Sequence, residues 1–229
     1  MSSESKTFIT PPPPISSAEV HHSRASDFRN LFEIGIVFGL ILIAVWTPQG
    51  RVNTSVSVAA LLLTVLLTIS SSYSARKLGL TRPSSGSGVI LGLGALLVLI
   101  ILAMGALTHS LGAPQPLPWH RAWQYAIWAL LQEFLLQSFM YVRLESLFGS
   151  RQALFLASGL FALAHLPSPM LTSLSLLGAL FFCEMFRRYR NIFPLGLVHA
   201  ALGLTIAASL PDRLLHHMRV GIGYLMYHV

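Results

Sequence analysis

Marked only for apolar and polar positions, the chain divides into seven apolar runs of roughly 15 to 25 residues, each near the length an α-helix needs to cross a hydrocarbon core of about 30 Å. The runs are Leu31 to Trp46, Val52 to Tyr73, Val89 to Thr108, Arg121 to Leu147, Gln152 to Leu166, Met170 to Phe186, and Ile192 to Leu210. Turn-rich joints separate them: Thr47 to Arg51, the Pro/Ser/Gly stretch Thr81 to Gly88, Gly112 to Pro118, and His165 to Pro169 with its two prolines. Backbone groups in lipid must be bonded within their own segment, so runs of this length predict helices. The fold class is therefore all-α, a polytopic transmembrane helical bundle of about seven spans. The fifth run is short for a full crossing, and the fifth and sixth read equally as a hairpin that dips into the bilayer and returns.

Residues 1–30 are polar, carry the run Pro11 to Pro14, and lack the apolar stretch of a signal peptide. That pattern predicts a disordered, Pro-rich cytosolic tail rather than a cleaved leader. Residues 31–118 then hold the N-terminal transmembrane helices, 119–210 the helices that bear the polar motifs below, and 211–229 a C-terminal tail. In that tail the adjacent His216 and His217 have no partner at ligand spacing and read as a solvated loop.

Composition changes the picture little. Of the 229 residues 54% are hydrophobic and 10% charged, and the mean hydropathy is +0.66, which excludes a soluble domain of this size. The single cysteine, Cys183, lies inside an apolar run and reads as a small buried residue. The net charge of +7 raises nucleic acid as a partner, but the basic residues occupy short joints rather than one stripe, and topology accounts for them. The expected partner is membrane lipid, with no nucleic acid. With the N-terminus in the cytosol, that side collects Lys6, Arg24, Arg29, Arg76, Lys77, Arg82, Arg143, Arg151, Arg187, Arg188 and Arg190, leaving Arg51, Arg121, Arg213 and Arg219 outside. This majority predicts a multi-pass protein of the plasma or inner membrane with a cytosolic N-terminus.

An ionisable group at bilayer depth costs at least about 2.5 kcal/mol on insertion scales and is a functional candidate by default. Glu133, His165 and His199 qualify. Glu33 and Glu184 lie near the cytosolic ends of their runs, and Glu184 is spaced to pair with Arg187 and Arg188. Ala126, Ala129, Glu133 and Gln137 share one face of the fourth helix; Ala157, Ser158, Phe161, Ala162 and His165 share one on the fifth; Gly196, His199 and Gly203 share one on the seventh. Small residues beside each ionisable group point these faces into the bundle. At about 1.5 Å per residue from the nearest cytosolic arginine, Glu133 lies roughly 15 Å deep, His199 roughly 14 Å and His165 roughly 21 Å. A carboxylate and two imidazoles at one level activate a water, stabilise an oxyanion, or hold a metal.

The stretch Gln132-Glu133-Phe134-Leu135-Leu136-Gln137-Ser138-Phe139, then Phe161-Ala162-Leu163-Ala164-His165, then Asn191-Ile192-Phe193-Pro194-Leu195-Gly196-Leu197-Val198-His199 resembles the three motifs of the CAAX-protease and bacteriocin-processing family of intramembrane peptidases. The family pattern is Glu-Glu-x-x-x-Arg, Phe-x-x-x-His and His-x-x-x-Asn or Asp. Position by position, the first glutamate falls on Gln132, the second on Glu133 and the arginine on Gln137; the histidines fall on His165 and His199, and the Asn or Asp position on Gly203. The resemblance places the water-activating pair at Gln132 and His165, with Glu133, one residue along the fourth helix, expected to supply the acid in place of Gln132, His199 to serve the oxyanion, and Gln132, Gln137, Phe161 and Gly203 to lie around the substrate. It assigns no resident cofactor; a divalent metal such as zinc is the ion that Glu133, His165 and His199 would hold. The implied activity is endopeptidase cleavage of a membrane-associated protein or peptide at the cytosolic side. Gln132, Gln137 and Gly203 depart from the pattern and motivate an alternative, a catalytically inactive relative that binds a lipid or a partner helix. A third reading joins His165 and His199 through haem or a metal.

Overall fold

The computed structural model describes residues 17–83, 86–108 and 119–226. They form α1 (Ser17–Trp46), α2 (Arg51–Ile69), α3 (Gly86–Leu107), α4 (Trp119–Glu133), a π-helical segment (Phe134–Tyr141) continuing into α5 (Val142–Phe148), α6 (Ser150–Leu163), α7 (Pro169–Tyr189), α8 (Ile192–Ser209), the short α9 (Asp212–Leu215) and α10 (Gly221–Leu225). Among the described residues five helices are long and apolar enough to cross a membrane: α1 from Ser26, then α2, α3, α7 and α8. The unbroken run from α4 to α5 and the 14-residue α6 make up the other two apolar runs. The protein is an all-α integral membrane bundle.

Local chemistry sets the breaks. Gly149, at φ 83°, turns α5 into α6. Ser168 caps α7, its hydroxyl accepting from the Leu171 amide at 3.4 Å with Pro169 at the first helical position. Asn191 caps α8 through the Phe193 amide at 3.0 Å. The helix α8 is central, packed between α3 and α4. Small residues allow the approach: Gly94 lies under Val198, Gly196 against Leu130, and Gly203 under the Tyr125 hydroxyl. The core gathers Leu136, Tyr141, Ala157, Phe182, Phe186 and Leu195, while Leu62, Leu66, Leu99 and Leu197 project outward as the acyl-chain surface.

The sequence reading of 1–30 as a tail stops short. α1 begins at Ser17, and Asn30 is buried, its amide donating to Ser146 at 3.0 Å and Tyr73 at 3.2 Å. These tertiary bonds and the Arg29–Glu33 pair extend the helix past the hydropathy boundary; the proline run and the Gly112 to Pro118 joint lie outside the described residues. Residues 211–226 also depart from a free tail. They fold back so that the Gly221 amide donates to the Leu166 carbonyl at 2.8 Å, and His217 pairs with Asp212 at 2.9 Å.

Several basic residues gather at one end of the bundle. There Arg190 pairs with Glu145, Arg187 and Arg188 bond Glu184 at 2.7 and 2.5 Å, and Asn191 donates to the Thr81 carbonyl at 3.2 Å. Arg143 is the exception to a surface role. It is wholly buried and reaches Glu33 of α1 at 2.7 Å.

Candidate active site

α4 enters the bundle antiparallel to α8 with its last residue, Glu133, fully buried. One carboxylate oxygen meets His199 Nδ1 at 2.8 Å. The other accepts from the Gln137 amide at 3.1 Å. Both acceptors of the acid are thus engaged, which is what a carboxylate at this depth requires. Phe182 of α7 stacks on the His199 ring at 5.0 Å between centroids, and Phe161 of α6 abuts it edge-on at 6.2 Å.

His165 stands just past the end of α6. Its Nδ1 is 2.7 Å from the Phe161 carbonyl. A carbonyl only accepts, so Nδ1 carries the proton and the neutral ring keeps its lone pair on Nε2. The same Phe161 ring lies 4.7 Å from the His165 ring. Both imidazoles therefore pack on one aromatic side chain.

His165 and Gln132 line an apolar cavity of about 890 Å³ bounded by the end of α1, the start of α2, α4 and residues 218–226. Neither Glu133 nor His199 lines it, and among the described residues no Asp or Glu does. One residue along α4 turns a side chain by about 100°, and that rotation directs Gln132 to the cavity and Glu133 to α8.

Glu133 is bonded to His199 and Gln137, while His165 is bonded to the Phe161 backbone and packs on the same Phe161 ring as His199. Among the described residues no three His, Cys, Asp or Glu side chains are placed to hold a metal ion, so the zinc set does not fit. No step runs through a metal. The resemblance implies cleavage at the cytosolic side, whereas the cavity lies toward the opposite end from the gathered arginines, beside the Thr47 to Arg51 joint.

Gln137 holds Glu133, as a neighbour of the acid should, and Cys183 is buried. Two residues were missed, Phe182 and Tyr125. Both belong to apolar or mixed runs with no polar signature, although Gly203 is itself a sign that something bulky must lie opposite. Gly203→Asn should therefore destabilise the protein by about 1–3 kcal/mol through overpacking, with Tyr125→Ala in the same chain restoring part of the loss. Thermal unfolding in detergent of the two single variants and the double variant measures it.

The fold and site define a polytopic membrane protein whose buried polar centre is a carboxylate–imidazole pair beside an apolar cavity with a second imidazole in its wall. Residues 114–205 match the family described as type II CAAX prenyl endopeptidase Rce1-like. Over that segment, about two fifths of the chain, the match agrees with the resemblance to the CAAX-protease and bacteriocin-processing family. No curated protein matches the chain.

Proposed function

We propose that the chain is an intramembrane endopeptidase of the CAAX-protease type that hydrolyses a peptide bond in a membrane-associated protein or peptide. The observation that carries this reading is the buried Glu133–His199 pair at 2.8 Å, with His165 on the adjoining cavity wall, all within the family-matched segment. His165 takes the proton from the attacking water at Nε2, since Nδ1 is committed to Phe161. Glu133 orients His199 and stabilises its doubly protonated form, whose Nε2–H donates to the developing oxyanion. Gln132 donates from the cavity wall to the water or the scissile carbonyl. The apolar lining suits an alkyl chain or a helical segment of the substrate.

The gathered arginines support an N-terminus in the cytosol of a plasma or inner membrane. The cavity then faces the other side of the bilayer, and cleavage belongs there rather than at the cytosolic side.

One observation favours a second reading, an inactive relative that binds a lipid or a partner helix. Among the described residues the cavity wall carries Gln132 and no acid, so an activated water has His165 as its base without a carboxylate beside it. Cleavage of lipid-tailed fluorogenic peptides by purified protein in liposomes separates the two. The peptidase reading expects wild-type turnover, and about tenfold or more from Gln132→Glu, which places a carboxylate beside His165. Intact peptide with both proteins, together with retention of the tail, establishes the binding reading.

A further inference from the structure

We infer that residues 216–225 form a strap that closes the cavity and must swing away to admit its occupant. Met218, Val220 and Ile222 supply one wall of the cavity, facing α1, α2 and the His165 wall. Polar fastenings hold the strap within this wall and just before it. The Gly221 amide donates to the carbonyl of Leu166, the residue after His165, at 2.8 Å. Gly221 itself is left-handed, φ 55°, and sits directly against the Val45 backbone and side chain at the end of α1. At the other end Asp212 accepts from the His217 amide at 2.7 Å and meets its ring at 2.9 Å.

At and beside the Asp212 fastening three successive non-glycine residues, His216, His217 and Met218, hold left-handed backbones at φ 49°, 54° and 56°. L-residues avoid that region, and a run of three persists only where surrounding bonds impose it. The closed strap is thus a strained conformation held by its polar contacts, next to a relaxed one in which the same residues leave the cavity wall. Because the Leu166 carbonyl anchors it, opening also releases the loop that carries His165. The strap would gate a peptide substrate or a bound lipid alike, so it stands apart from the peptidase reading.

The test uses thiol access in full-length protein in liposomes. Leu135→Cys places a thiol in the cavity wall, while the native Cys183 is buried and serves as the internal background. In this background Asp212→Ala loosens an exposed fastening, and Gly221→Val drives the strap off Val45. Labelling of the introduced thiol by a bilayer-permeant maleimide should rise several-fold with Asp212→Ala and about tenfold or more with Gly221→Val, as the population shifts to the open form. Unchanged labelling with Asp212→Ala overturns the strap. An equal rise at Cys183 also overturns it, because the variants would then loosen the whole bundle.

Discussion

His165→Ala should bring peptide cleavage down to the background of protein-free liposomes, a loss of about 10²- to 10⁴-fold. His165 is the one imidazole of the three-residue set that lines the cavity, and its Nε2 is left as the acceptor by the Nδ1 bond to the Phe161 carbonyl at 2.7 Å. Among the described residues no other group on the wall replaces it, since Gln132 cannot take a proton at neutral pH. Glu133→Gln should be milder, about 10- to 100-fold, because an amide oxygen still accepts from His199 Nδ1–H but no longer stabilises charge on the ring. The loss should fall in kcat with KM nearly unchanged, as expected for an interaction made in the transition state. Equal activity of His165→Ala and wild type, measured by initial rates on the lipid-tailed peptide, removes the assigned base.

Much of this architecture is legible in hydropathy and turn chemistry. The breaks at Thr47 to Arg51 and at Arg190–Asn191 sit where polar joints end apolar runs, and the three ionisable positions are visible because lipid makes each one expensive. What escaped has a common cause: periodicity assigns faces but not partners. From Leu136 to Leu144 every residue is buried, so the π-helical turn leaves no alternation to read; it is set by contacts such as the Ser138 hydroxyl on the Leu78 carbonyl at 2.7 Å. The same limit hid the choice between Gln132 and Glu133, adjacent on α4 yet aimed at different neighbours. Residues 211–226 escaped because short left-handed turns and tertiary contacts, not apolar length, decide where they lie.

Arg143→Leu should cost about 3–5 kcal/mol of stability, the usual penalty for removing one partner of a buried ion pair. The guanidinium is 0% exposed. It binds Glu33 of α1 at 2.7 Å, the Leu67 carbonyl of α2 at 2.9 Å and the Phe139 carbonyl at 3.2 Å, and it lies 3.9 Å over the Phe139 ring. One side chain therefore joins the α1–α2 hairpin to the segment that carries Glu133, and no apolar replacement satisfies those carbonyls. After the change Glu33, with 14% side-chain exposure, keeps only Arg29 at 3.7 Å. Glu33→Gln combined with Arg143→Leu should recover about 1 kcal/mol or more relative to the single change, because an amide is cheaper to bury than an unpaired carboxylate. Urea unfolding in mixed micelles of wild type, both single variants and the double variant gives the coupling; additive losses would mean that the pair contributes nothing beyond its separate members, and the hairpin would then be held to the catalytic segment by packing alone.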